Sequence, residues 1–174
     1  PGPRYALSED RRAHWRERLA ALPAGLTRTG IVWGGNPDNQ PGLHRSMPLG
    51  LLVPALEETQ TAALINLQHG PQCADLESFP SVHRWEQSDL ADTAALVAEL
   101  DLVITVDTLM AHLAGTVGRR VWTLLSFAAD WRWMTARPDS PWYPASMRLF
   151  RQQRPGDWQG VMKDVAAAMQ ARQG

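Results

Sequence analysis

Apolar blocks of strand length alternate along this chain with segments of helix length. "TGIVWGG", "AALINLQ", "DLVITV" and "RVWTLL" are the strong blocks, "SVHRW" is a weaker one, and "MRLFRQ" reads as an edge strand. Short runs that are apolar at nearly every position suit strands buried on both faces, as in a parallel sheet covered by helices. Parallel neighbours need long crossover connections, so helices must fill the intervals. The alternation therefore confines the chain to the α/β class, and a Rossmann-like parallel sheet flanked by helices is expected.

The intervals carry their own helix signals. From Ser8, "SEDRRAHWRERLAAL" opens on a capping residue and an acidic first turn, with Trp15, Leu19 and Leu22 at helical spacing. "PLGLLVPALEE" predicts a helix begun near Pro48, and "DTAALVAEL" one capped by Asp92. "TLMAHLAGTVG" predicts a helix closed by Gly118, and "GDWQGVMKDVAAAMQ" a closing amphipathic helix. The stretch 126–145, rich in Trp and Pro, reads as an ordered loop.

At 174 residues the chain can hold one domain with a sizeable core, or form half of a two-domain enzyme. The expected division is a connecting helix over 1–25 and one Rossmann-like domain over 26–174. Because it starts at Pro1, the chain is read as part of a longer protein. Its 17 Lys and Arg against 18 Asp and Glu are scattered, which argues against a nucleic-acid partner. Cys73 is the single cysteine, so neither an internal disulfide framework nor a cysteine-based zinc site is possible, in keeping with a reducing compartment. With no bilayer-length apolar run and no signal-peptide pattern, no membrane span is expected and a cytoplasmic location is.

Parallel α/β sheets bind ligands in the crevice beyond the carboxyl ends of their strands. Five joints follow the inner strands: Gly34-Gly35-Asn36, Gln68-His69-Gly70, Arg84-Trp85-Glu86, Asp107-Thr108 and Ser126-Phe127. All are expected on one rim. At Asp107-Thr108 the free N–H groups of the following helix and its dipole favour an anion such as phosphate. An unpaired aspartate would repel it. Either Thr108 and the backbone hold a phosphate while Asp107 faces a sugar hydroxyl, or both residues are plain helix caps. His112 lies one turn beyond Thr108 and is either a ligand contact or a core histidine.

Absent motifs narrow the chemistry. The chain lacks G-x-G-x-x-G after its first strand, G-x-x-x-x-G-K-[ST], G-x-S-x-G and H-E-x-x-H, so dinucleotide enzymes, P-loop NTPases, serine hydrolases and zincins lose support. It also lacks the D-x-D spacing with which some sugar transferases hold a metal. No metal and no cofactor are expected, and a diphosphate would be met by arginine, backbone amides and a helix dipole.

The ordered series "GIVWGGNP", "HRSMPLGLLVPAL", "LQHGP", "DTAALVAELDLVITVDTLMAHLAGTVGRRVW", "DWRW", "SPWYPASMRLFRQ" and "GDW" resembles the C-terminal, donor-binding half of bacterial heptosyltransferase-like glycosyltransferases. It is most similar to the version at the end of tetratricopeptide-repeat proteins. The likeness runs from about Tyr5 to the end of the chain.

It implies a GT-B arrangement, with a nucleotide-sugar donor bound here and an acceptor bound by an N-terminal domain. The D-[ST]-x-x-x-H-L-A segment implies donor contacts at Asp107, Thr108, His112, Leu113 and Ala114. A basic residue after the first strand meets the diphosphate in such enzymes, a role that falls to Arg45 with Ser46 beside it. Relatives often carry Asn-Asp before that residue where this chain has "QPGLHR", so His44 is a candidate to share the role. Gly34, Asn36 and Gln68 complete the donor-site expectation. His69 replaces a lysine of relatives, which removes a fixed charge near the donor.

Trp131, Trp133, Trp142 and Tyr143 are candidates either to stack on a base and cover the cleft or to serve as packing, and Trp33, Trp122 and Phe150 are read as core. Two functions follow from the likeness. One is the donor half of an inverting, metal-independent glycosyltransferase whose base lies in the acceptor domain. The other is a non-catalytic nucleotide-sugar-binding or regulatory domain of a repeat protein.

Overall fold

The computed structural model describes residues 7–38, 44–135 and 137–171. Helix α1 (Glu9–Ala20) leads into β1 (Thr27–Val32), then α2 (Leu49–Glu57), β2 (Ala62–Asn66), α3 (Leu90–Glu99) and β3 (Leu102–Val106). α4 (Leu109–Thr116), β4 (Val121–Leu125), β5 (Met147–Arg151) and α5 (Trp158–Gln170) complete it, with short 3-10 segments at Pro71–Ser78 and Trp131–Trp133. The five strands form one sheet in the order β2-β1-β3-β4-β5, every neighbouring pair parallel. The expected α/β architecture is present.

Strand alternation divides the core in two. Ile31, Leu64, Ile104, Leu124 and Phe150 point to the face covered by α2 and α5, where Leu52, Val53, Val161 and Val165 meet them. Val32, Ile65, Val103, Val121 and Leu149 point to the face covered by α1, α3 and α4, with Trp15, Leu96, Ala111 and Ala114. Each strand is apolar on both faces because each face carries a helical layer. Trp33, Trp122 and Phe150 are buried core, as expected.

Two expectations need correction. α3 is capped by Asp89, not Asp92: Asp89 is extended (φ −160°, ψ 179°) and its carboxylate accepts the Asp92 N–H at 2.7 Å. Asp92 sits in the first turn instead, where it accepts from the Ser88 N–H at 3.0 Å and from the Trp15 indole at 2.8 Å. "SVHRW" forms no strand. It gives a single parallel bridge, His83 to Ile65, because Trp85 leaves the sheet to stack on Trp15 with ring centroids 6.0 Å apart.

α1 docks on α3. Trp15 and Leu19 are buried, and Arg11 and Arg12 pair with Asp89 and Glu99. Gly118 ends α4 at φ +74°, a conformation that favours glycine. No helix among the described residues is long and apolar enough to cross a membrane.

Candidate functional site

Strands β1 and β3 are sheet neighbours although β2 lies between them in sequence, so the winding reverses there and a crevice opens beyond their carboxyl ends. β1 runs into Trp33-Gly34-Gly35-Asn36. The Gln68 side-chain oxygen accepts the N–H groups of Trp33 at 3.2 Å and Gly34 at 2.9 Å, and its Nε2 donates to the His69 carbonyl at 2.9 Å. Gln72 donates to the Gly35 carbonyl at 2.8 Å, and a Cβ on Gly34 would come within 3.1 Å of its side chain. Asn36 closes a turn by accepting from the Asp38 N–H at 3.0 Å. The glycine loop is thus braced by glutamines whose amides satisfy its backbone.

β3 runs into Asp107-Thr108. Thr108 is the extended N-cap of α4; its hydroxyl accepts the Met110 N–H at 3.2 Å and lies 3.0 Å from the Thr105 hydroxyl. Asp107 is 3% exposed, and its Oδ2 lies 3.3 Å from Arg45 Nη1, which also donates to the Asp107 carbonyl at 3.3 Å. Backbone contacts carry Arg45 there. The Ser46 hydroxyl accepts the Gly35 N–H at 3.0 Å, and the Met47 N–H donates to the Trp33 carbonyl at 2.9 Å, which lays this segment along the glycine loop. The buried carboxylate therefore has a cationic partner, and the α4 amides beside it are not opposed by a lone negative charge.

Two cavities flank this ion pair and share Arg45 and Asp107 as lining. The first, of about 720 Å³, is lined by Gly34, Asn36, Gln68, His69, Asp89 and Thr108, among others. The second, of about 760 Å³, is lined by His44, Ser126, Phe127, Asp130, Arg132 and Gln152, among others. Seven expected residues therefore line the crevice: Gly34, Asn36, His44, Arg45, Gln68, Asp107 and Thr108. Ser46 stands behind it as the anchor of Gly35. The "QPGL" half of the "QPGLHR" loop lies outside the described residues.

Other expected residues go elsewhere. His112 lines neither cavity: its Nδ1 is 3.3 Å from the Tyr143 hydroxyl, and its ring stacks on Trp133 at 5.2 Å. Burial is the largest influence holding its pKa below the usual histidine value, against the Asp107 charge. Arg84-Trp85-Glu86 leaves the rim, since Arg84 donates to the Leu76 carbonyl and Trp85 packs under Arg18.

The aromatic cluster divides. Trp133 is fully buried and Tyr143 lies so close to Gly115 that a Cβ there would be 2.6 Å from its ring, whereas Trp131 and Trp142 are exposed. Sequence reasoning missed Ser88 and Asp89 in the first cavity and Gln152 in the second. Gln152 directly follows "MRLFR", so the rule that identified the other joints applies to it equally. Among the described residues no group of three or more His, Cys, Asp or Glu is placed to hold a metal ion.

The chain matches no protein-family model. Protein FlbA of Caulobacter vibrioides is 32% identical over 167 residues, covering 90% of this chain but 27% of FlbA. Among solved structures, the ADP-heptose lps heptosyltransferase II of E. coli superposes with a TM-score of 0.65 at 14% identity, over 99% of this chain and 55% of that one. A family 9 glycosyl transferase of Veillonella parvula gives a TM-score of 0.65 at 14% identity, over 98% and 54%. The fold is that of a Rossmann-like half of a GT-B glycosyltransferase. This chain spans about half the length of those two enzymes and about a quarter of FlbA.

Proposed function

We propose that this chain binds the nucleotide-sugar donor of an inverting, metal-independent glycosyltransferase. The observation that carries the reading is the placement of Arg45 at the winding reversal, between the glycine loop after β1 and the amide-rich start of α4. An anionic diphosphate lying across that junction meets a guanidinium and the N–H groups of a helix start, without a cation. Of the solved neighbours, the E. coli enzyme is named for ADP-heptose, a nucleotide sugar of this class.

In the reaction an acceptor hydroxyl attacks the anomeric carbon from the face opposite the diphosphate. The bond from that carbon to the phosphate oxygen breaks, and the hydroxyl proton passes to a carboxylate supplied by the acceptor domain. Arg45 and the α4 amides stabilise the charge that develops on the departing nucleoside diphosphate. In this reading α1 is the connecting element over 1–25, and 26–174 is the donor domain of a longer cytoplasmic protein. Its partners are an N-terminal acceptor domain and tetratricopeptide repeats that recruit the acceptor.

A thermal-shift panel of ADP, UDP, GDP, dTDP and their sugar conjugates tests the reading. One base should stand out, with stabilisation approaching about 2.7 kcal/mol at a ligand concentration a hundredfold above Kd. A flat panel, with calorimetry equally silent, rejects it.

A further inference from the structure

A third cavity, of about 810 Å³, is lined by parts of β5, α5 and the segment before Asp139, and three arginines face it: Arg137, Arg148 and Arg151. Their partners differ. Arg137 is matched, since its Nε and Nη2 each donate to a carboxylate oxygen of Asp139 at 2.7 Å. Arg148 has no hydrogen bond or ion pair among the described residues. It is held by stacking, its guanidinium carbon 4.6 Å from the Phe150 ring centroid and 6.0 Å from that of Trp122. Arg151 donates to the Trp133 and Met134 carbonyls but meets no carboxylate among the described residues.

Burial holds the Arg151 pKa below the usual arginine value, and no anion offsets it. Charges withdrawn from water are normally paired, so two guanidiniums without carboxylates on one cavity depart from the usual pattern. Asp164 on α5 also lines the cavity and makes no ion pair among the described residues. Set against Arg148 and Arg151, it leaves one positive charge in excess. Stacking fixes the plane of Arg148 and leaves its N–H donors at the edge, the geometry in which a guanidinium meets a planar carboxylate.

The apolar lining and the strand spacing narrow the ligand. Leu149, Phe150 and Ala168 line the same cavity and offer contact that inorganic phosphate cannot use. Arg148 and Arg151 stand three residues apart on one strand, about 10 Å at the usual rise, which is also the span of two carboxylates three residues apart on an extended peptide. The outer edge of β5 is met by the chain itself: the Leu149 N–H donates to the Pro138 carbonyl at 2.7 Å, and Asp139 bridges to Arg148. A partner is therefore gripped by side chains and not by strand addition.

We infer that this cavity docks an extended acidic segment of a partner protein, with two carboxylates three residues apart on Arg148 and Arg151 and an apolar side chain on Phe150. The inference stands apart from the donor reading. The cavity meets the second one at Phe127 and Gln152 but includes neither Arg45 nor Asp107 in its lining.

The probe is the peptide acetyl-Glu-Ala-Leu-Glu-amide, titrated into the isotope-labelled 174-residue chain and followed by NMR amide shifts. Its controls are acetyl-Gln-Ala-Leu-Gln-amide and inorganic phosphate. The acidic peptide should shift the amides of Arg148, Phe150, Arg151 and Ala168, and should bind about tenfold more tightly than the glutamine peptide, by less in high salt. Arg148→Gln gives up no hydrogen bond and should fold, yet it should weaken the acidic peptide about tenfold. Arg120→Gln, at an exposed arginine outside the cavity, should leave that affinity unchanged.

The comparison of the two peptides on the wild type holds whether or not a variant folds. Equal affinity for both peptides, or no shift at the cavity amides, overturns the inference. So does wild-type affinity in Arg148→Gln, or an equal loss in Arg120→Gln. Phosphate that moves the same amides at lower concentration than the acidic peptide overturns the choice of a carboxylate-bearing segment.

Discussion

Arg45 and Asp107 meet across 62 residues of sequence, and their pairing changes what each substitution at the crevice should do. In the proposed donor reading, a diphosphate competes with Asp107 for the guanidinium. Asp107→Asn removes that competitor, so affinity for a bare nucleoside diphosphate should hold or rise. Arg45→Ala should weaken the same ligand by about 1.5–3 kcal/mol, the range for a charge-assisted bond. Thr108→Ala should cost about 1 kcal/mol of stability through the lost cap, whatever it does to binding. Calorimetry paired with melting curves separates the three, and an affinity loss in Asp107→Asn equal to that of Arg45→Ala would contradict the competition.

His112 supplies a separate test at the same scale. Its pKa is held below the ordinary value of 6.5, mainly by burial, so the unfolded chain binds more protons between the two values. Stability should therefore fall as pH drops through 6.5 and level off below the folded pKa. His112→Gln should be less stable near neutral pH, having lost the stack on Trp133, but should flatten this part of the profile.

Among the elements, the α1–α3 contact is the one whose energetics are most exposed to measurement. Asp89 caps α3 and pairs with Arg11, and that guanidinium, with the Asp92 N–H next, lowers its pKa from 3.8 to about 2. The stability it contributes is fully present above pH 3.8 and is lost as pH falls towards about 2. Asp89→Asn keeps a cap but loses the ion pair, so acid unfolding in this window should become shallower. Trp15→Ala should cost about 3–5 kcal/mol, because the side chain is 1% exposed and its indole bond to Asp92 is lost as well.

The elements were largely legible in the sequence, since helix caps and strand-length apolar runs are local signals. The error at α3 shows the limit of such signals. Asp89 and Asp92 are both capping residues three positions apart, and the roles were settled by Trp15 and Arg11, which approach from another helix.

At the scale of the whole molecule, this chain spans about half the length of the two glycosyltransferases on which it superposes. In the proposed reading the proton-accepting carboxylate belongs to an acceptor half, so the purified chain should fold and bind nucleotide yet transfer no sugar. Robust transfer by the isolated chain to any acceptor would show the active site to be misjudged. Nucleotide affinity should also survive EDTA, since the proposed diphosphate contacts are a guanidinium and backbone amides. Affinity lost in chelator and restored by Mg²⁺ or Mn²⁺ would point to a cation at the Asp107 side of the junction instead.

What the chain determined by itself is local. Runs of Val, Ile and Leu set the strands, serine, threonine and aspartate set the helix starts, and the residue after each strand had to lie at one end of the sheet. That is enough to bring Gly34, Asn36, Gln68, Asp107 and Thr108 to one rim.

The tertiary structure decided which partners those residues took. Strand order placed β1 beside β3, and the return of the chain along the glycine loop carried Arg45 onto Asp107. Tyr143 and Trp133 drew His112 into packing, and the Gln68 and Gln152 side-chain oxygens were each committed to two backbone N–H groups. The physical reason is range. Propensity and capping act within a few residues, whereas ion pairs, buried amides and ring stacks join groups that only the folded sheet brings within a few ångströms.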